Sequence, residues 1–198
     1  MALNLDSDSE KEVLLFDKSE STIQILDRSP QATYRQARSI SMPGFEFAGF
    51  SIQDLNGDGR DDAAVIGKLS VAVLYQGVED EELEEIARYD LDEKSVEAAG
   101  DRPLPDRLVV GDLNADGEPD IGFSSEPRNL LSFLSLSGAG GSGALSSRLT
   151  FPIFEEKSYM RRQSGHGPRE MAAADADGDG KTDLILLIHD RILLYIQE

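Results

Sequence analysis

Along the chain, short apolar runs alternate with clusters of turn-forming residues. Val13-Leu14-Leu15-Phe16 leads through Lys18-Ser19-Glu20-Ser21 to Thr22-Ile23-Gln24-Ile25-Leu26. Ala63-Ala64-Val65-Ile66 leads through Gly67-Lys68 to Val71-Ala72-Val73-Leu74-Tyr75. Ile121-Gly122-Phe123 leads through Glu126-Pro127-Arg128-Asn129 to the run from Leu130 to Leu136, and Leu184–Ile188 leads through His189-Asp190-Arg191 to Ile192–Ile196. Apolar runs this short, bounded by turn residues, predict β-hairpins.

A further strand is predicted ahead of three of these hairpins, at Phe47–Ile52, Leu108–Val110 and Met171–Ala174. The small side chains of the last suit a crowded position near a ring axis. A more polar segment follows each hairpin but the last: Tyr34–Ser41, Leu83–Leu91 and Leu149–Glu155. Polar outer strands around apolar inner ones suit a sheet whose outer edge meets water. Residues 81–89 also fit a short helix with Leu83 and Ile86 on one face, but the phase of the repeat asks for a strand. The predicted unit is a four-stranded antiparallel blade. Its four copies fall at about 1–43, 44–99, 100–156 and 157–198, and blades repeated radially form a β-propeller. The first copy has almost nothing before its hairpin and the fourth has nothing after it, so fourteen strands are expected, with the first and last blades incomplete. The units either close into a small ring or form an arc of a larger propeller. Gly138–Gly143 reads as a flexible connection within the third unit.

The junction between the first two strands of each unit carries the candidate chemistry. In Asp54-Leu55-Asn56-Gly57-Asp58-Gly59-Arg60-Asp61-Asp62, oxygen-bearing side chains occupy loop positions one, three, five and nine, with glycine at six. Asp112, Asn114, Asp116, Gly117 and Asp120 repeat the spacing, as do Asp175, Asp177, Asp179, Gly180 and Asp183. Asn4, Asp6, Asp8 and Glu12 form a weaker copy, with Ser9 in the glycine position. A hard cation such as Ca²⁺ takes six to eight oxygens, so these side chains, a main-chain carbonyl at position seven (Arg60, Glu118 or Lys181) and water make a plausible shell. Mg²⁺ fits less well, because it demands tighter octahedral geometry. An EF-hand is excluded: position twelve is Leu15, Val65, Phe123 or Leu186, not a bidentate glutamate, and the flanks are strands. The simpler reading is a turn rich in Asp, Asn and Gly. Three loops with acid at positions one, five and nine are hard to explain that way.

Charge fits bound cations. The 198 residues carry 38 acidic and 19 basic side chains, a formal net charge of −19, and many of the acids lie in these loops. Without metal the like charges crowd together, so the apo form is expected to be less stable. Nucleic acid is an unsuitable partner, since it needs a basic face. With no cysteine there is no disulfide. No apolar run is long enough to span a membrane as a helix, and MALNLDSDSE does not read as a signal peptide. No nucleophile elbow, zinc spacing or phosphate-binding glycine loop is found. Glu155 and Glu156 are a weak candidate for a glycosidase carboxylate pair, because neighbours on a strand point to opposite faces. Glu155, Glu156, Tyr159, Arg161, Arg162, His166, Arg169 and Glu170 form a candidate site on one face of the ring, with a solvated loop as the simpler reading. His189 is read as a turn residue.

The loops DLNGDGRDD, DLNADGEPD and DADGDGKTD resemble those of FG-GAP/VCBS repeat proteins, the integrin-α-like β-propellers. Phe47-Ala48-Gly49-Phe50 resembles that family's Phe-Gly entrance. The Gly-Ala-Pro of the motif is absent after Ile66, and the first loop departs at Asn4, Ser9 and Glu12. The C-terminal stretch is similar to the end of longer bacterial VCBS-repeat proteins. The resemblance implies structural Ca²⁺ at three to four loops and an extracellular, cell-surface or periplasmic setting, and it implies no reaction. The expected function is a binding or scaffold module for protein or glycan, or a companion of another chain that completes the propeller. The alternatives are a polysaccharide-acting enzyme or enzyme-associated domain, and a subunit of a larger cell-surface assembly.

Overall fold

The computed structural model describes residues 2–3, 11–29, 33–76, 83–91, 107–125, 130–138, 143–153, 168–188 and 191–198. Among these residues every regular element is a β-strand. The first sheet contains β1 (Ala2–Leu3), β2 (Glu12–Asp17), β3 (Thr22–Arg28) and β4 (Tyr34–Ser41). The second contains β5 (Phe47–Gln53), β6 (Asp62–Gly67), β7 (Ser70–Gln76) and β8 (Leu83–Asp90). The third contains β9 (Arg107–Gly111), β10 (Asp120–Ser125), β11 (Leu130–Ser137) and β12 (Ala144–Pro152), and the fourth β13 (Glu170–Ala174), β14 (Asp183–Ile188) and β15 (Arg191–Tyr195). Each sheet is an antiparallel meander in chain order. These are propeller blades.

Two details differ from the sequence reading. The first blade does have an inner strand, the stub β1, which pairs Ala2 with Val13 and Leu3 with Glu12, so fifteen strands are described. Two residues offered too little apolar pattern to be read as a strand. The outer strand β12 begins at Ala144, not Leu149, because the ladder to β11 starts at Ser137↔Ala144, directly across the glycine-rich connection. Of the segment that also fits a helix, Leu83–Asp90 form the strand β8, and the fourth blade has three described strands.

The third and outer strands share one irregularity. The register shifts between Ile25 and Leu26, between Val73 and Leu74, and between Phe133 and Leu134. In each blade this falls opposite the first and second residues after loop position nine. The extra residues are Ala37, Ile86 and Arg148. A β-bulge sharpens local twist, so three blades bend their outer strands at the same place.

The core consists of layers between blades. Leu14, Ile23 and Ile25 of the first blade pack with Phe47, Ala63, Val65, Ala72 and Leu74 of the second. Phe16 stacks on Phe50 at 4.4 Å and meets Phe47 edge-on at 5.2 Å. Ala64, Ile66, Val71, Val73 and Tyr75 pack with Val110, Ile121, Phe123, Leu134 and Leu136 of the third blade. Val109, Leu131 and Ile153 then meet Leu184, Leu186 and Ile188 of the fourth. β6 and β7 are buried along their whole length because both faces are covered, and a fully buried strand reads as a continuous apolar run. Close approach explains the small residues of β13. A Cβ on Gly111 would lie 2.9 Å from the Cβ of Ala173, where β9 meets β13.

Candidate metal centre

Each described loop folds around its first acid. Asp54 Oδ1 accepts the amides of Gly57 (2.7 Å) and Asp58 (3.2 Å), and its Oδ2 accepts that of Gly59 (2.9 Å). Asp112 accepts from Asp116 and Gly117, and Asp175 from Gly178 and Gly180, at 2.7–3.1 Å. Position three accepts the amide of position five: Asn56 from Asp58, Asn114 from Asp116 and Asp177 from Asp179. The chain can wrap this tightly because positions four and six take positive φ. Gly59, Gly117 and Gly180 stand at +85°, +84° and +88°. At position four two loops use glycine, whereas Ala115 accepts φ of +59° with a side chain.

The position-nine acid acts differently. Asp62 is fully buried and accepts the amides of Leu55 (3.0 Å) and Gln76 (2.9 Å). It thereby ties the loop to the end of the third strand. Asp183 repeats this with Ala176 (2.8 Å) and Gln197 (2.9 Å), and Asp120 accepts from Leu113 (3.2 Å). Sequence reasoning took this residue only as a ligand. Its role as a staple to residues fourteen positions away in two blades has no local signal.

Burial raises the pKa of Asp62 to about 6 against the two amide bonds, with the charges of Asp58 and Asp54 adding to the rise. Asp120 is also raised, again chiefly by burial. Asp183 is lowered, chiefly by the Gln197 and Ala176 amides. At Asp62 and Asp120 burial outweighs the hydrogen bonds, whereas at Asp183 the two amide bonds outweigh burial.

The fit to a cation is clearest in the fourth blade. Carboxylate oxygens of Asp175, Asp177 and Asp183 all lie within 4.8 Å of one another. An all-oxygen donor set of this kind suits a hard divalent ion. An oxygen that accepts one amide keeps a second lone pair. The position-five acids instead meet the cationic side chain at position seven, Asp58 with Arg60 at 2.8 Å and Asp179 with Lys181 at 3.8 Å. Glu118 at that position donates its amide to Asp116 at 2.9 Å. Of the first loop, Asn4, Asp6 and Asp8 lie outside the described residues, and Glu12 is buried in β2. Glu155, Glu156, Tyr159, Arg161, Arg162, His166 and His189 also lie outside them. Glu170 begins β13, and the carbonyl of Arg169 just before it accepts from Arg107 Nε at 2.6 Å.

A cavity of about 260 Å³ opens between the third and fourth blades, beside β15. Phe133, Leu149, Phe151 and Tyr195 give it an apolar lining, and Asn114, Asp120, Arg148, Thr182 and Gln197 are its polar members. Gln197 Oε1 is buried nearby without a hydrogen-bond partner.

Meandering antiparallel blades of three or four strands, with an acidic loop between the first two strands of each full copy, define a β-propeller-type repeat protein. Residues 54–123, a stretch that runs from the second blade into the third, match the model of the FG-GAP-like repeat. The solved structure of the exotype rhamnogalacturonan lyase YesX is similar over 94% of this chain and 37% of that one, with a TM-score of 0.54 and 18% identity. A protein from Lactobacillus plantarum is similar over 94% of this chain and 53% of its own, with a TM-score of 0.52 and 15% identity. This chain thus spans roughly a third to a half of these structures, and at such identities the likeness is one of fold. No curated protein matches.

Proposed function

We propose that the protein is a calcium-stabilised β-propeller module that binds protein or glycan, or a companion chain completing the propeller, and has no catalysis of its own. The observation that carries this reading is the convergence of Asp175, Asp177 and Asp183 in a loop whose spacing recurs twice more. Ca²⁺ at these loops would neutralise crowded carboxylates and fix the junction of each blade's first two strands, so metal binding and folding are coupled. Asp54, Asn56, Asp58 and Asp62, with the Arg60 carbonyl, would hold one ion. Asp112, Asn114, Asp116 and Asp120, with that of Glu118, would hold a second. Asp175, Asp177, Asp179 and Asp183, with that of Lys181, would hold a third. Asn4, Asp6, Asp8 and Glu12 are the candidate for a fourth. The setting that suits such a module is extracellular, cell-surface or periplasmic.

A second reading, a polysaccharide-acting enzyme or enzyme-associated domain, draws on the cavity with Arg148 beside apolar walls and on the fold shared with a lyase. Melting measured across a calcium titration, with and without a panel of acidic and neutral glycans, separates the two. A calcium-dependent rise in melting temperature with no glycan turnover is expected. Glycan cleavage would favour the enzyme, and no response to calcium would remove the metal from the account.

A further inference from the structure

Strand parity decides which neighbour each side chain meets. Counted from loop position nine, the first and third residues of a blade's second strand point to the preceding blade. Ala63 and Val65 do so in the second blade, Ile121 and Phe123 in the third, and Leu184 and Leu186 in the fourth. The second and fourth residues point to the following blade, as Ala64 and Ile66 do. The same rule leaves two faces over. In the first blade Val13 and Leu15 point to a preceding blade, and Leu15 is 45% exposed. In the fourth blade Ile185 and Leu187 point to a following one, alongside their cross-strand partners Leu194 and Ile192. Leu187, Leu194 and Ile192 are 42%, 49% and 67% exposed.

The fourth blade's free face therefore has the make-up of a face that is fully buried elsewhere. Ala64, Ile66, Val71 and Val73 hold the corresponding positions in the second blade and are all inaccessible to solvent. What covers that set is the opposite face of another blade, and the chain carries one such face free, at Leu15. Because three interfaces in series separate the two, they lie at opposite ends of the row of blades.

We infer that the chain pairs with a second copy of itself head to tail, the Leu187 and Leu194 face of each copy docking on the Leu15 face of the other. Each such contact joins unlike surfaces, and two of them close a ring of eight blades, at the upper end of the range propellers adopt. This rests on the propeller reading and names the companion chain that it leaves open.

The test is the mass in solution of the full chain in calcium, for the wild type and for Leu15→Glu and Leu187→Glu. The wild type is expected at twice 21.6 kDa and each variant as a monomer. A mixture of the two variants should regain a dimer, because one undamaged contact remains between them. The chain has no cysteine, so a Leu15→Cys, Leu187→Cys double variant adds a clean cross-link, expected between chains. A wild-type monomer, single variants that stay dimeric, an open ladder of larger species, or a cross-link within one chain would each overturn the pairing. Melting in calcium is read on the same samples. A monomer that calcium still stabilises sinks the pairing alone, whereas no calcium response sinks the functional reading instead.

Discussion

Asp62 makes the stability of the calcium-free protein depend on pH in an unusual direction. Its carboxyl titrates at about 6 in the fold and near 3.9 in an unfolded chain. The folded state therefore holds the extra proton, and this contribution is fully present below the unfolded value and lost as pH rises through the folded one. Two units correspond to about 3 kcal/mol over the full window. About 1.4 kcal/mol of this falls between pH 5 and 7.5, above the isoelectric region near 4.4. Asp120, also raised by burial, acts in the same sense, while Asp183, lowered by its amide bonds, acts in the opposite one. In chelator, then, the melting temperature should fall by roughly 3–6 °C between those pH values. Calcium binds the ionised carboxylate, so its stabilising effect should be larger at pH 7.5 than at pH 5. Calorimetry in chelator and in calcium at both values measures this, with Asp62→Asn as the control that flattens the slope. A chelated protein that melts higher at pH 7.5, or a calcium gain that is equal at both pH values, would mean that Asp62 does not hold its proton in the fold.

Other substitutions test the loop and the layers. Gly180→Ala puts a side chain at a φ of +88° with nothing within 4 Å of the new Cβ, so the loss is backbone strain alone, about 1–2 kcal/mol by denaturant unfolding. Ala115→Gly relieves the same strain at +59° and should stabilise by about 0.5–1 kcal/mol once the flexibility of glycine is offset. Gly122→Ala would bring a Cβ within 2.8 Å of Val109 and 2.9 Å of Phe133, and should destabilise by about 1–3 kcal/mol through overpacking, read as an earlier denaturant midpoint.

Much of the fold was legible because the repeat imposes its phase. Once Asp62, Asp120 and Asp183 are aligned, the apolar runs after them can only be the second strands. The polar segments at Tyr34 and Leu83 then take the outer place, which is what favours strand over helix at Leu83–Asp90. The stub β1 was not legible, since two residues carry no period. The bulges at Ala37, Ile86 and Arg148 depend on how the outer strand pairs, and single-strand patterns do not encode pairing. Within the fourth blade's loop, the spacing pointed to Asp175, Asp177 and Asp183, whose carboxylates converge. It did not indicate that the ninth acid is buried and bonded across the blade to Gln76 or Gln197, because those partners lie on another strand. Nor did it show that Arg60 and Lys181 turn their side chains onto the acids at position five.

The most direct test is isothermal titration of the chelator-stripped protein with calcium, for the wild type and for Asp54→Asn, Asp112→Asn and Asp175→Asn singly. The wild type is expected to take up three to four ions per chain, and each variant to have one fewer tight site. No uptake at millimolar calcium, or a stoichiometry unchanged by all three substitutions, would contradict that expectation.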